Sequence, residues 1–154
     1  MRNLIIILSL LTYQLGSPAL AENTLEKPNY ITCVKTVETL DSFSRDILAM
    51  GCLTVVERYC MAPVRVETSC LDDEIQSIRD FIASAAPLLP PPPEDLTGFE
   101  RFSYPRGLDR IRDGAQVHDV PPCKTYPKIC ILVAESAIVS DIFWLARMSN
   151  TSLP

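Results

Sequence analysis

Histidine and glycine are scarce in this sequence, which has one histidine and five glycines among 154 residues. The histidine, His118, lies beside Asp119 in a segment rich in helix breakers, and neighbours in sequence rarely face each other as a catalytic pair. We therefore interpret His118 as a solvated loop residue. The sequence also lacks the G-x-S-x-G, glycine-rich phosphate-loop and H-E-x-x-H motifs. We predict a protein that is not an enzyme and that uses no cofactor or metal ion.

Positive charge is also in short supply, because 14 lysines and arginines stand against 19 aspartates and glutamates. Nucleic-acid binders need a basic face that releases counterions from phosphate, so this balance argues against a nucleic-acid partner. It permits a basic protein as the partner. We therefore expect a protein partner, with a basic one favoured by the net charge, and we make no prediction of the oligomeric state.

The first 21 residues have the pattern of a cleavable secretory signal peptide. Arg2 supplies a positive charge, residues 4–15 are mostly apolar, and Ala19-Leu20-Ala21 forms an A-x-A cleavage site. The alternative, an uncleaved anchor, would need about 20 apolar residues to cross a membrane. We expect cleavage after Ala21. The mature chain then has 133 residues with 13 basic and 19 acidic side chains, and we expect it to be periplasmic or secreted.

Six cysteines follow the predicted cleavage site, and they predict three disulfides: Cys33, Cys52, Cys60, Cys70, Cys123 and Cys130. An even number of cysteines in an oxidising compartment is typical of a disulfide framework. A zinc site would favour cysteine pairs two to four residues apart, whereas here 18, 7, 9, 52 and 6 residues intervene. Because Cys123 and Cys130 are close in sequence, we predict that they pair. The other four would then tie the N-terminal helices together.

Apolar residues recur at intervals of three and four along two segments of the N-terminal half, which predicts amphipathic helices at 33–50 and 69–86. Thr32 is a candidate N-cap of the first helix, and Gly51 is a candidate residue for its C-terminal end. We interpret residues 52–61 as a short separate helix. A strand is the alternative there, because the segment contains β-branched residues.

Residues 129–148 are apolar and long enough to suggest a membrane-spanning helix. Glu135, Asp141 and Arg147 interrupt the segment, and an ionisable residue at the centre of a bilayer costs about 2.5–3.5 kcal/mol on insertion scales. We therefore predict a packed core helix, and no membrane span after signal cleavage. We expect Glu135 on the solvent-exposed edge of the helix with Ser136.

Nine of the 13 prolines lie between Pro87 and Pro127, and they predict an irregular segment over residues 87–128. The uninterrupted run at 90–93 favours an extended polyproline II conformation, which we interpret as a spacer rather than as a recognition ligand. A helical turn is expected only at 108–112. The predicted organisation is a signal peptide at 1–21, a four-cysteine helical region at 22–86, this segment, and a C-terminal helix and tail at 129–154. The fold class is mainly α, a small disulfide-stapled helical domain.

The densest carboxylate clusters, Asp72-Asp73-Glu74 and Glu94-Asp95, raise the alternative of a small hydrolase that uses paired acids, as glycosidases do. The first cluster lies in the opening turn of a predicted helix, where acidic side chains interact favourably with the helix dipole. We therefore interpret it as structural, and we regard the hydrolase as the weakest alternative.

Residues 52–80 contain the pattern C-L-x6-C-M, followed by C-L-x-x-E at Cys70, Leu71 and Glu74. This cysteine framework resembles that of LprI-like exported bacterial proteins, small helical domains named for a lysozyme-inhibitor lipoprotein. The resemblance implies a helical, periplasmic, non-catalytic protein. We predict an exported interaction protein of the bacterial cell envelope. The most specific version of this prediction is a protein that inhibits a basic enzyme such as lysozyme. The alternative is an accessory or assembly factor of an envelope complex.

Overall fold

The computed structural model describes residues 27–40, 42–62, 69–117 and 120–154. Within these ranges the chain has no strand and six α-helices: α1 (Tyr30–Glu38), α2 (Ser42–Cys60), α3 (Ser69–Ala85), α4 (Gly98–Asp113), α5 (Pro121–Thr125) and α6 (Pro127–Met148), with a 3₁₀ turn at Ala86–Leu88. The predicted mainly α, disulfide-stapled domain is confirmed. The predicted signal peptide, His118 and Asp119 lie outside the described residues.

The central helix of the described fold is α6, which packs against α2, α3, α4 and α5. Leu132, Val139 and Ile142 of α6 are fully buried, and Phe143 stacks on Phe81 of α3 with ring centres 5.4 Å apart. Burying a large apolar side chain stabilises a fold by about 1.5–3 kcal/mol. By length and composition, α6 is the one helix among the described residues that could cross a membrane, although half of its most apolar stretch is buried inside the protein.

The single helix predicted at 33–50 is instead divided between two helices. α1 ends at Glu38, and α2 continues without a break through Gly51, so the predicted stop at this glycine was wrong. The disulfide between Cys33 and Cys52 requires the division, because their Cα atoms lie 5.7 Å apart, whereas 19 residues of one straight helix would span about 28 Å. The chain therefore turns back after α1.

The ends of the N-terminal helices follow local hydrogen bonding. Asn29, not the predicted Thr32, is the N-cap of α1, and its side chain accepts a hydrogen bond from the Thr32 backbone N–H at 2.9 Å. The predicted separate helix at 52–61 was wrong, and so was the strand alternative, since this segment is the C-terminal part of α2, which ends at Cys60. α3 begins at the predicted residue Ser69 and ends one residue before the predicted end.

The segment predicted as irregular contains a 16-residue helix, α4, which corrects that prediction. Its buried side is formed by Tyr104 and Gly107, a combination that produces no recognisable apolar repeat in the sequence. Tyr104 donates a hydrogen bond from its hydroxyl to the Pro90 carbonyl at 3.2 Å, and α4 packs along α6. Tertiary packing thus stabilises α4 as a helix, although Pro105 within it disfavours helix formation.

Candidate interaction surface

All six cysteines form disulfides, and the pairs are Cys33–Cys52, Cys60–Cys70 and Cys123–Cys130. The predicted local pair Cys123–Cys130 is confirmed, and the other four cysteines do join the N-terminal helices. A sulfur in a disulfide has no thiolate, so these residues are not nucleophiles or metal ligands. Three disulfides indicate an oxidising, extracytoplasmic compartment.

Glu74 of the first carboxylate cluster is buried, and it joins α3 to the start of α1. Its carboxylate accepts a hydrogen bond from the backbone N–H of Tyr30 at 2.5 Å. Tyr30 is the first residue of α1, where the positive end of the helix dipole favours an acidic side chain. Burial raises the pKa of Glu74, although this hydrogen bond and the positive charge of Lys27 oppose the rise, and Asp73 adds to it.

The remaining acids of the two clusters lie on the surface. Asp72 pairs with Lys128 at 2.6 Å, and Asp73 pairs with Lys27 at 3.1 Å. These two pairs connect the start of α3 with the start of α6 and with the chain before α1. Glu94 and Asp95 are exposed in a turn before α4. The structure therefore places the members of the two clusters in different surroundings rather than around one site.

Glu135 is buried and not on the wet edge of α6, which corrects the sequence prediction. Its carboxylate accepts a hydrogen bond from the Arg79 Nε at 2.7 Å, and its neighbour Ser136 is buried too. The side chain of Arg79 is half exposed, so this pair extends from the interior to solvent. A buried carboxylate is costly unless it is paired, and the arginine of α3 supplies the pairing.

Asp141 and Arg147, the other two charges that interrupt the apolar segment of α6, are also paired. Asp141 accepts two hydrogen bonds from Arg110 of α4, at 2.6 and 2.7 Å, and this contact raises the pKa of the arginine. Arg147 pairs with Glu38 of α1. These interrupting charges therefore connect α6 to neighbouring helices, a role that the sequence pattern did not indicate because the partners lie far away along the chain.

A groove of about 440 Å³ lies where α1 meets the end of α6, with Lys35, Glu38, Arg147 and Leu153 among its lining residues. Its polar walls are engaged in the fold, because Glu38 pairs with Arg147, and the ammonium of Lys35 lies 5.4 Å from the Phe81 ring centre. The groove is therefore framed by interactions that hold α1 on α6 and on α3.

The outer side of α4 combines exposed aromatic rings with exposed arginines. Phe99 is 80% exposed and Phe102 is 68% exposed, and Arg101 and Arg106 lie beside them. Neither arginine forms an ion pair with any described residue. We call the surface formed by Phe99, Arg101, Phe102, Pro105 and Arg106 the α4 face.

The α4 face is exposed because the opposite side of the helix is fixed to α6. Tyr104 lies against Trp144 with ring centres 6.2 Å apart, and a Cβ added to Gly107 would meet the side chain of Leu145 at 3.2 Å. Phe99 and Phe102 were not predicted as surface residues of a helix, because the sequence pattern indicated no helix there. Their spacing of three residues, in otherwise polar surroundings, is the signal that could have indicated a shared exposed face.

Comparison of this chain with protein-family models, with curated proteins and with solved structures finds no match in any of the three.

Proposed function

We propose that this protein is an exported, non-catalytic interaction protein of the bacterial cell envelope, and that the α4 face binds its partner. The observation that supports this proposal is the presence of two highly exposed phenylalanines beside two arginines that have no ion-pair partner among the described residues, on a helix fixed to the core. In this proposal the signal peptide at 1–21 delivers the chain to the periplasm or the medium, where the three disulfides form.

The energetics of the α4 face suit a binding role. Burying one phenylalanine side chain stabilises a complex by about 1.5–3 kcal/mol, so Phe99 and Phe102 together could supply much of a micromolar affinity. Aromatic residues and arginine are enriched in the energetically dominant centres of protein interfaces. Because α4 is held on α6, little conformational freedom is lost when the α4 face is covered.

The chemistry of the partner follows from the charges on this face. Arg101 and Arg106 have no carboxylate partner among the described residues, so an acidic surface would supply charge-assisted hydrogen bonds. The net charge of the mature chain favours a basic partner instead. We give precedence to the local arginines, because charges farther away than about 8 Å are largely screened at physiological ionic strength. The proposed partner is a protein with an apolar pocket bordered by aspartate or glutamate.

The test captures partners from envelope extract on immobilised residues 22–154 and then measures their affinity for purified variants. We expect Phe102→Ala and Phe99→Ala each to weaken binding at least tenfold, and Arg106→Gln to reduce the dependence of affinity on salt. Val133→Ala is the matched control, because Val133 is an exposed apolar residue of α6 outside the α4 face. Equal binding by all four variants would exclude the α4 face.

A second candidate function is inhibition of lysozyme, which is supported by the resemblance at residues 52–80 and by the acidic mature chain. The most direct test adds purified mature protein to a lysozyme assay at low and at high salt. Inhibition that weakens with salt would support an electrostatic complex with the basic enzyme. Absence of inhibition at both salt concentrations would exclude lysozyme inhibition. The remaining proposal would be that the protein binds a partner through the α4 face, for example as an accessory or assembly factor of an envelope complex.

A further inference from the structure

The disulfide Cys123–Cys130 differs from the two N-terminal disulfides in its relation to the hydrophobic core. Each N-terminal disulfide has one cysteine inside the core, because Cys52 is 2% exposed and Cys60 is 6% exposed. Cys123 and Cys130 are both half-buried, and neither belongs to the core of the described residues or packs against it. A thiol in solution can therefore reach this pair while the core stays closed, and such access governs the rate of thiol–disulfide exchange.

The chain around Cys123 is open to solvent. All residues from 120 to 128 except Cys123 itself are exposed, and α5, which contains Cys123, has its main contacts with α6. The two lysines of this segment, Lys124 and Lys128, take part in interactions of the fold, and Lys128 pairs with Asp72 at 2.6 Å. Opening of this disulfide would therefore release α5 without breaking a contact among α1, α2 and α3.

The three disulfides also differ in where a thiolate would form when the bond between the sulfurs breaks. Attack on the half-buried cysteine of either N-terminal pair would leave the thiolate at Cys52 or Cys60, inside the core, where an unpaired charge is costly. Attack on Cys123 would leave the thiolate at Cys130, in the first turn of α6, where the positive end of the helix dipole favours negative charge. Access and the position of the leaving thiolate thus favour the same pair, and they favour attack at Cys123.

We propose that Cys123–Cys130 is a site of thiol–disulfide exchange and that its reaction partner is a protein dithiol. One thiolate of the partner attacks the Cys123 sulfur and forms a mixed disulfide, and Cys130 leaves as a thiolate that takes a proton from water. The second thiolate of the partner then attacks the partner's own sulfur in the mixed disulfide, and Cys123 leaves and is protonated in the same way. The partner is oxidised from a dithiol to a disulfide, and the pair in this chain is reduced to a dithiol by the same electrons.

The test exposes the folded mature protein to reduced thioredoxin, a soluble protein dithiol, in the absence of denaturant. Free thiols are alkylated at successive times, and peptide mass spectrometry locates them. We expect alkylation of Cys123 and Cys130 to be about tenfold faster than that of the other four cysteines. A thioredoxin variant that lacks its second cysteine should be trapped as a mixed disulfide on Cys123. The proposal is overturned if the three disulfides are reduced at one rate, if an N-terminal disulfide is reduced first, if no disulfide is reduced, or if the trapped adduct forms on Cys130.

Two further measurements separate local reactivity from unfolding of the whole protein. Urea below the unfolding transition should leave the reduction rate of Cys123–Cys130 nearly unchanged, whereas the N-terminal disulfides should react faster because the core opens more often. Val56→Ala creates a cavity in the core and should accelerate only the N-terminal disulfides, whereas Val133→Ala, at an exposed position of α6, should change none of the rates. Equal acceleration of all three disulfides by urea or by Val56→Ala would overturn the proposal, because reduction would then follow global unfolding. The inference is independent of the proposed function, because it uses no residue of the α4 face.

Discussion

The N-terminal helices α1, α2 and α3 and the proline-rich segment of residues 87–128, which we call the arm, are held to the core by different means. In the region of α1, α2 and α3, two disulfides join separate helices: Cys33–Cys52 connects α1 with α2, and Cys60–Cys70 connects α2 with α3. In the arm that contains α4, the disulfide Cys123–Cys130 joins residues only seven positions apart, between α5 and α6. No described disulfide joins α4 to another helix.

This difference indicates that the cross-linked helices α1, α2 and α3 form the stable base of the fold, whereas α4 exposes the aromatic rings. α4 depends on Tyr104, Gly107 and Arg110 for its attachment to α6. Non-covalent packing of this kind allows the arm to open locally while the cross-linked region stays folded. The most exposed aromatic rings thus lie on α4, which no described disulfide joins to another helix.

The largest expected effect comes from removing the Cys33–Cys52 disulfide with paired alanine substitutions. In the chain-entropy description, a cross-link over 19 residues stabilises by about 3 kcal/mol, whereas the seven-residue link Cys123–Cys130 contributes about 2 kcal/mol. Denaturant unfolding of both double variants measures the two losses. A larger loss for Cys123→Ala with Cys130→Ala would contradict the view that the N-terminal links are the principal supports.

Gly107→Val should selectively loosen the arm. The added side chain would overlap Leu145, and overpacking of this kind costs about 1–3 kcal/mol. Hydrogen exchange should therefore accelerate in α4 and remain nearly unchanged in α3. Equal acceleration in the two helices would show that the arm and the N-terminal region unfold as one unit.

Glu74→Gln tests the buried acid of the N-terminal region, and its effect should be smaller and dependent on pH. Burial raises the pKa of Glu74 in the folded state above its ordinary value of 4.5. As pH rises through 4.5, the unfolded chain loses this proton first, so the stability of the natural protein falls until the pH passes the folded-state pKa. Glutamine does not titrate. The stability of Glu74→Gln relative to the natural chain should therefore increase from pH 4 to pH 7 in urea unfolding, and a decrease would contradict burial as the dominant cause.

The smallest expected effect is that of Arg110→Gln in the arm. Its side chain is more than half exposed, and the hydrogen-bonded pair with Asp141 is therefore largely screened by solvent. We expect a loss of about 0.5 kcal/mol in the free energy of unfolding. A loss above that of Gly107→Val would mean that charge, rather than packing, attaches α4 to α6.

The same two regions also differ in how far the sequence predicts them. α3 and α6 have regular apolar spacing, and their bounds were predicted within one or two residues. α4 was missed because its buried side is made by a tyrosine and a glycine, so only contact with α6 reveals it. The division between α1 and α2 was also missed, since the disulfide that imposes it is a long-range constraint with 15 possible connectivities among six cysteines.

The site residues divide in the same way. Local spacing correctly paired Cys123 with Cys130, because a pair so close in sequence requires no knowledge of the fold. The partners of Glu74 and Glu135 are Tyr30 and Arg79, which lie 44 and 56 residues away along the chain. No period or motif in the sequence connects residues at such separations, so burial and pairing of these carboxylates follow only from the packed helices.

Pro105 has a consequence for selectivity at the α4 face. Proline has no backbone N–H, so the carbonyl of Arg101, four residues earlier, lacks its helical hydrogen-bond donor. A partner could therefore be recognised through a main-chain acceptor that alanine substitution of the surrounding side chains would leave intact. Pro105→Ala restores the missing donor and would change which partners are preferred while both phenylalanines and both arginines stay in place.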